Sequence, residues 1–268
     1  MKYKLHLVTL CYNEIDILPY CLDYWRRLGV DKATVYDNYS DDGSYEYLSE
    51  IPWIEVRRFE SDGHNDIIHQ QIKHQAFKEE KEKGECDYLI ICDIDEWLWC
   101  KNMYVFDDTL DLMMYKGNNV LCNPWYALCG DKSPEQTMME YVQGKYLHQV
   151  LGRGYKQYIN HTQGYGDYGK FILINMRATD DITFSVGQHI LYGIKPHFKP
   201  YYSDKIFTFH LNKGFSEEYF VVKRAKMAMR LSETNVRFGM GVEYLEPIDK
   251  ARQEYRNNQA KAIDISEL

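Results

Sequence analysis

The sequence has no apolar segment that approaches the roughly 20 residues needed for a membrane-spanning helix. Its first residues, Met1 to Thr9, are followed too quickly by polar residues to form a secretory signal peptide. These absences predict a soluble, cytoplasmic protein without a transmembrane segment. Peripheral contact with a membrane stays open to a protein of this kind.

Basic residues are also scarce, because 32 lysines and arginines face 40 acidic residues and leave a net charge of -8. An acidic chain is disfavoured on nucleic acids and anionic lipid surfaces, so we expect no nucleic-acid partner. Any phosphate that the protein binds must then be neutralised locally. Helix dipoles, backbone amides or a metal ion can do this.

The seven cysteines are odd in number and irregularly spaced, and they lack the CxxC spacing of a zinc ribbon. This argues against a disulfide framework and predicts reduced cysteines that lie mostly in the core. A chain of 268 residues, 45% of them hydrophobic and 27% charged, can bury a full core. We expect a single domain over residues 1–240, with a tail or helix over residues 241–268.

Apolar segments alternate with helical patterns through the N-terminal half. The predicted order is strand 5–10, helix 18–28, strand 33–36, helix 45–49, strand 54–59, helix 67–83 and strand 88–92. This alternation predicts an α/β fold with a mostly parallel, doubly wound sheet. The second half is less regular. Ser216 is a predicted N-cap for a helix that runs to about Arg237, and residues 253–268 are predicted to form a loose helix or a tail.

Three of the predicted strands are followed directly by polar residues. Parallel sheets bind ligands beyond the carboxyl ends of their strands, so these residues should share one edge of the sheet. They are Asn13, Glu14, Asp37, Asn38, Asp93 and Asp95.

Asp93 and Asp95 follow the most apolar of these strands. The two-residue period of a strand points both carboxylates to the same face, where like charges repel and are costly to desolvate. A bound cation relieves both penalties, and hard oxygen ligands suit Mg²⁺ or Mn²⁺ bridging a diphosphate. The alternative is a strand end whose acids are simply exposed to solvent.

Several segments combine with this pair in a fixed order. The first two are the loop Thr9 to Glu14 and the turn Tyr36 to Ser44; the later ones are Asp93 to Trp97, Asn123 to Trp125 with Cys129 and Gly130, Lys170 to Leu173, His189, and His210 to Tyr219. This ordered set resembles the nucleotide-sugar glycosyltransferases of the A fold, in particular family 2-like and family 92-like enzymes. The resemblance covers roughly residues 5 to 230. It implies a glycosyltransferase A-type fold, with a nucleotide-sugar-binding half over residues 1–130 and an acceptor half over residues 131–240.

The resemblance also implies roles for individual residues. Asp37 matches the acid that faces the nucleotide base or ribose. Thr9 and Glu14 line the same pocket, Asp93 contacts the ribose or the metal, and Asp95 is the more direct metal ligand. His189 or His210 completes the metal shell from the second half. The remaining residues expected in the donor site are Asn13, Asn38 and Lys213.

The implied reaction is transfer of a hexose-type sugar from a nucleotide donor, here expected to be a UDP-sugar, with inversion at the anomeric carbon. A divalent metal, Mn²⁺ or Mg²⁺, neutralises the departing diphosphate, and a carboxylate takes the proton of the acceptor hydroxyl. Asp131 and Asp167 are the candidate bases by position. The expected acceptor is a surface glycan or its lipid-linked precursor, which would place the protein in polysaccharide biosynthesis.

Two other functions fit parts of the sequence. Metal-dependent phosphoryl or nucleotidyl transfer also uses an Asp-x-Asp pair at a strand end, although such phosphatases carry it after the first strand. No Gly-rich phosphate-binding motif of the GxxxxGK[ST] type is present. A non-catalytic glycan-binding protein would account for the many aromatic residues, but not for acids that follow a buried strand.

Overall fold

The computed structural model describes residues 2–130, 153–156, 171–186, 191–192, 199–211 and 215–264. In the first hundred residues, strands and helices alternate. They are β1 (Leu5–Cys11), α1 (Leu18–Arg27), β2 (Lys32–Asp37), α2 (Ser44–Ser49), β3 (Ile54–Arg58), α3 (Asp66–Lys83), β4 (Tyr88–Ile91) and β5 (Glu96–Cys100).

The remaining described elements follow β5, and their strands have only two to five residues. They are α4 (Met103–Lys116), β6 (Leu121–Cys122), β7 (Trp125–Leu128), β8 (Arg153–Lys156), β9 (Leu173–Asn175), β10 (Thr183–Phe184), β11 (Leu191–Tyr192), β12 (Tyr201–Tyr202), β13 (Ile206–His210), α5 (Glu217–Arg230), α6 (Glu233–Phe238), a 3-10 helix (Val242–Leu245), α7 (Ile248–Lys261) and β14 (Ile263–Asp264).

The central sheet has the strand order β3-β2-β1-β4-β9. Its first four strands are parallel and β9 is antiparallel to β4. The predicted α/β class with a mostly parallel sheet is therefore confirmed. β4 is buried throughout, as expected for a strand covered on both faces, and its sequence is accordingly a continuous apolar run.

Local signals set the ends of the helices that join these strands. The Asn65 side chain accepts hydrogen bonds from the backbone N–H groups of Ile67 and Ile68, each at 3.2 Å, and so caps the start of α3. Gly84 ends the same helix in the left-handed conformation, with φ of 63°. α3 thus begins next to the carboxyl end of β3 and presents its first turn to that edge of the sheet.

A second sheet has the order β14-β8-β7-β13-β5. β5 follows β4 after a turn of four residues, so the chain passes from the central sheet into the second sheet at residues 92–95. One apolar cluster spans the two sheets and includes Leu7 of β1, Trp97 of β5 and Phe209 of β13. Full burial of side chains of this size stabilises the fold by about 1.5–3 kcal/mol each. The seven cysteines are all free and buried, as predicted.

The expected single helix from Ser216 to about Arg237 is wrong in its second part. Ser216 caps α5 as predicted, but α5 ends at Arg230 and α6 begins at Glu233. The break has a tertiary cause, because the Ser232 N–H donates to the carbonyl oxygen of His64 at 3.2 Å instead of continuing the helix. The Ser232 hydroxyl then caps α6 by accepting from Asn235 N–H at 3.1 Å.

Residues 248–261 form the helix α7, which packs against α5. Ala251 and Tyr255 of α7 form a small apolar cluster with Phe220 and Val221 of α5. Arg252 and Arg256 also make ion pairs with Glu217 in the first turn of α5, at 2.9 and 2.8 Å. Within the described ranges, every helix is too short or too polar to span a lipid bilayer.

Gly63 provides a test of how tightly the β3–α3 loop is fixed. It has φ of +111°, and an added Cβ would lie 2.0 Å from the carbonyl oxygen of Arg230 at the end of α5. Gly63→Ala should cost about 1–2 kcal/mol for the left-handed backbone and about 1–3 kcal/mol more for overpacking. Urea-induced unfolding would measure the loss. Gly84→Ala is the matched control, because Gly84 has φ of +63° with no atom within 4 Å of the added Cβ. Equal losses in the two variants would contradict the tight contact.

Candidate active site

A cavity of about 520 Å³ opens at the carboxyl edge of the central sheet. Five of the residues singled out in the sequence line it, and they come from both halves of the chain. These residues are Glu14, Asn38, Asp93, Asp95 and His210. The parallel topology is the reason that the first four meet, because β1, β2 and β4 all end at this edge.

Asp93 and Asp95 lie in the turn where the chain leaves the central sheet. Ile94 and Asp95 form a turn, so the strand alternation that predicted a common direction for Asp93 and Asp95 does not apply there. Both nevertheless line the cavity. The Asp93 side chain is 41% exposed and pairs with Lys73 of α3, at 2.8 Å between Oδ1 and Nζ. The Asp95 side chain is only 11% exposed.

Pairing between β13 and β5 brings His210 to this turn. The register places His210 opposite Glu96, and the Leu211 N–H donates to the Asp95 carbonyl oxygen at 2.9 Å. His210 Nε2 then lies 3.4 Å from Asp95 Oδ1, and its Nδ1 lies 3.4 Å from Glu96 Oε1. The Trp125 ring stacks on the imidazole at a centroid distance of 5.5 Å. The imidazole is thus fixed between a carboxylate pair and an aromatic face.

Glu96 holds the turn at residues 92–95 in place through hydrogen bonds to Asp93. Its carboxylate is fully buried, and its Oε2 accepts a hydrogen bond from the Asp93 N–H at 3.2 Å. The Glu96 N–H in turn donates to the Asp93 carbonyl oxygen at 3.0 Å. These two bonds fix the backbone of Asp93.

Lys223 of α5 connects Asp95 to the loop after β1. Its ammonium lies 3.2 Å from Asp95 Oδ2 and 3.6 Å from Glu14 Oε1. Burial alone would raise the pKa of Asp95, but Lys223 and His210 outweigh burial and hold that pKa well below its usual range. For Glu14, burial prevails over Lys223 and raises its pKa to about 7. Burial would lower the pKa of Lys223, yet Glu14 and Asp95 hold it well above its usual value.

Three other predicted donor-site residues, Thr9, Asn13 and Asp37, lie near this edge but do not line the cavity. Thr9 and Asp37 are fully buried, and Asp37 Oδ2 accepts from the Ser40 N–H at 3.2 Å. Thr9 Oγ1 and Asp37 Oδ1 have no hydrogen-bond partner among the described residues. Asn13 has a positive φ of 53° and exchanges two hydrogen bonds with Asp41. Asp131, Asp167, His189 and Lys213 lie outside the described residues.

Sequence reasoning missed several cavity residues on α3 and α5. Lys73, Lys223 and Arg230 add positive charge to a cavity that otherwise contains acids. Lysines and arginines in a helical pattern ordinarily mark a solvent-exposed face, so no local signal distinguishes Lys73, which is 5% exposed. Only the packing of α3 and α5 against the strand ends shows that these cations face the cavity.

Two groups of described residues bring three metal-ligand side chains within 4.8 Å of one another. One is His64, Asp66 and His69, which lines the cavity at the start of α3. Burial, His64 and Lys73 lower the pKa of His69 to about 4, so its imidazole is neutral at pH 7. The other group is His6, Glu80 and Cys86. All three are buried, and His6 lies at the amino end of β1.

Comparison with known proteins finds a distant similarity in sequence. No protein-family model matches the chain. The chain is similar to a glycosyltransferase family 92 protein from Ricinus communis, with 27% identity over 110 residues. That match covers 37% of this chain and 17% of the relative, so it spans a small part of the relative's own length.

Several solved structures are distantly similar to this chain. A 4-diphosphocytidyl-2C-methyl-D-erythritol synthase has 12% identity and a TM-score of 0.38, covering 65% of this chain and 76% of its own. HddC from Yersinia pseudotuberculosis has 12% identity and a TM-score of 0.38, covering 81% and 96%. Glucosyl-3-phosphoglycerate synthase from Mycobacterium tuberculosis, solved with Mn²⁺, UDP and glucosyl-3-phosphoglycerate, has 15% identity and a TM-score of 0.29, covering 46% and 44%. These TM-scores describe distant likenesses.

The raised pKa of Glu14 predicts a specific pH dependence of stability. A carboxyl whose folded pKa is about 7, above its ordinary 4.5, contributes stability that is complete below pH 4.5 and is lost as pH rises through 7. Glu14→Gln removes this titration. The stability of the wild type relative to Glu14→Gln should therefore fall between about pH 5 and pH 8, as measured by urea unfolding across that range. Glu46→Gln, on the exposed face of α2, is the control variant. Parallel pH profiles for wild type and Glu14→Gln would contradict the assignment.

Proposed function

We propose that this protein is a metal-dependent glycosyltransferase that uses a nucleotide-sugar donor, with a UDP-sugar as the expected donor. The observation that carries the proposal is the convergence of Asp95 and His210. The two residues are 115 positions apart in a chain whose parallel sheet ends at this cavity, and the structure brings Oδ1 of one within 3.4 Å of Nε2 of the other. A carboxylate and an imidazole from opposite halves of the chain then face one ligand.

The geometry of these side chains fits a shared divalent ion. Two oxygen or nitrogen ligands about 2.1 Å from one octahedral ion lie about 3 Å apart, close to the observed separation of Asp95 and His210. Asp93, on the same turn, can supply a further oxygen directly or through water. When bound, a divalent ion would neutralise the diphosphate of the donor and stabilise it as a leaving group.

The chain's own cations would complete the neutralisation of the diphosphate. Lys73 and Lys223 each lie within hydrogen-bonding or ion-pair distance of an acid of the turn, and both line the cavity. Their pairing with Asp93 and Asp95 keeps their ammonium groups in fixed positions at the carboxyl edge. This local arrangement meets the need for phosphate binding in a protein whose net charge is -8.

The nucleotide is proposed to bind beside β1 and β2, where Asn38 lines the cavity and Asp37, Thr9 and Asn13 lie directly behind it. This follows the motif resemblance, and the local similarity to a family 92 glycosyltransferase supports the proposed class of activity. Asp131 and Asp167 remain the proposed bases, and Lys213 and His189 the proposed additional donor and metal contacts. A glycan or lipid-linked acceptor and an inverting reaction complete the proposal.

Asp95→Asn tests the metal and donor assignments together. The expected result is that UDP raises the unfolding temperature of the wild type only when Mn²⁺ is present, by linkage of binding to folding. Asp95→Asn should weaken that UDP binding at least about tenfold and abolish hydrolysis across a panel of nucleotide sugars. Asp111→Asn, at an exposed acid of α4 that pairs with Lys2, is the matched control and should behave like wild type.

Two other outcomes would favour the alternative functions, which are nucleotidyl transfer and glycan binding. Release of pyrophosphate from a nucleoside triphosphate and a sugar phosphate would reassign the protein to nucleotidyl transfer. Stabilisation by a glycan without any nucleotide would favour a binding protein. Full donor hydrolysis by Asp95→Asn would contradict the metal assignment.

A further inference from the structure

We propose that His64, Asp66 and His69 form a second metal site, which takes a borderline divalent ion such as Zn²⁺ and presents it to the cavity. The inference is independent of the proposed function, because its three metal ligands are not among the side chains assigned to the donor or its metal. It begins from the sequence spacing His64-x-Asp66-x-x-His69, which straddles the start of α3.

The three side chains converge in a geometry that suits such an ion. Their ligand atoms lie within 4.8 Å of one another, and His64 Nε2 is 3.3 Å from Asp66 Oδ1. Two ligands about 2.0–2.1 Å from a tetrahedral Zn²⁺ are separated by about 3.3 Å. The centroids of the His64 and His69 rings are 5.0 Å apart, and the ring planes are inclined at 77°.

A second layer of contacts holds Asp66 and His64 in place. Asp66 Oδ2 accepts from Asn235 Nδ2 at 2.8 Å, and the Asp66 N–H donates to Asn235 Oδ1 at 3.0 Å. Asn235 is fully buried in α6. The His64 backbone is fixed in the same way, since its N–H donates to the Arg230 carbonyl oxygen at 2.6 Å. Buried hydrogen-bond partners of this kind orient metal ligands and raise affinity.

One aromatic side chain packs against each of the two imidazoles. Phe59 packs edge-on against His69 at 5.9 Å, and Tyr244 packs edge-on against His64 at 6.4 Å. Such a shell limits access of water to the ligands. The trio, Phe59 and Tyr244 all line the cavity, so the side of the ion not covered by protein would face into it.

The chemistry of the trio indicates what would bind there. Three protein ligands, two imidazoles and one carboxylate, leave at least one coordination position of Zn²⁺ for an exogenous ligand. An anionic oxygen, from a phosphate or carboxylate group, is the class of ligand that fits this position in a cavity that also contains Lys73 and Arg230.

The second group of metal-ligand side chains, His6, Glu80 and Cys86, differs because His6 and Glu80 are already engaged in hydrogen bonds. Both ring nitrogens of His6 are already hydrogen-bonded, to Glu80 Oε2 at 2.6 Å and to Thr34 Oγ1 at 3.0 Å. Glu80 also accepts from Lys83 at 2.8 Å. A metal would have to compete with two buried hydrogen bonds and one partly buried one there, whereas His64, Asp66 and His69 line the cavity.

The test is titration of the full chain, freed of metal by a chelator, with Co²⁺ as the spectroscopic substitute for Zn²⁺. The wild type should develop visible d–d bands at one equivalent, and His69→Gln should lower the Co²⁺ affinity at least about tenfold. His64→Gln should do the same. His74→Gln, the same change five residues further along α3, is the matched control and should leave the affinity and the bands unchanged.

Asp95→Asn distinguishes this site from the proposed donor metal. The bands assigned to the histidine trio should persist in Asp95→Asn, whether or not that variant loses UDP binding. Circular dichroism of the metal-free variants checks that they fold, and His64→Gln decides the matter if His69→Gln does not fold. Unchanged affinity and bands in the folded histidine variant, or equal losses in His74→Gln, would overturn the proposal.

Discussion

The charge of Asp95 is the constraint on which the architecture around the cavity depends. A carboxylate that is 11% exposed costs several kcal/mol to desolvate unless partners compensate it. The partners come from two separate elements: Lys223 from α5 and His210 from β13. Neutralising this one group therefore requires that the second sheet and α5 close over the carboxyl edge, which is also what creates the cavity.

Helices α5 and α6 contact two different groups of residues that line the cavity. At one end Lys223 joins Asp95 to Glu14. At the other end, the backbone of His64 pairs with the end of α5, and Asn235 of α6 binds Asp66. The break between α5 and α6 is what allows both sets of contacts, because a continuous helix would carry Ser232 and Asn235 away from the β3–α3 loop. One helical segment thus ties both candidate metal positions to the same scaffold.

The cavity contains basic side chains although the protein as a whole is acidic. Lys73 and Lys223 are each paired with a carboxylate of the Asp93–Asp95 turn, so their positive charges are concentrated where the strands end. Other acids pair with cations outside the cavity, as Glu217 of α5 does with Arg252 and Arg256 of α7. The summed charge of the chain therefore says little about the potential inside this cavity.

The sequence by itself determined the parallel half of the fold. Apolar runs at β1, β2, β3 and β4, helical periodicity between them, and the cap at Ser216 are local signals, and each is read correctly from neighbouring residues. It also placed the polar residues at one edge, because the direction of parallel strands fixes where their ends lie. The position of Asp93 and Asp95 near that edge followed from this rule alone.

Only the tertiary structure decided which side chains face the cavity from outside the sheet. Lys223 meets Asp95 across 128 positions and Asn235 meets Asp66 across 169, and no short-range pattern encodes such pairings. The helix break after Arg230 was missed for the same reason, since its cause is a hydrogen bond to a distant loop. His64, Asp66 and His69 are close in sequence, yet a loop and a helix start leave their directions undefined until α5 and α6 fix the loop. Local periodicity determines the elements of this protein, while long-range packing against buried charges determines its site.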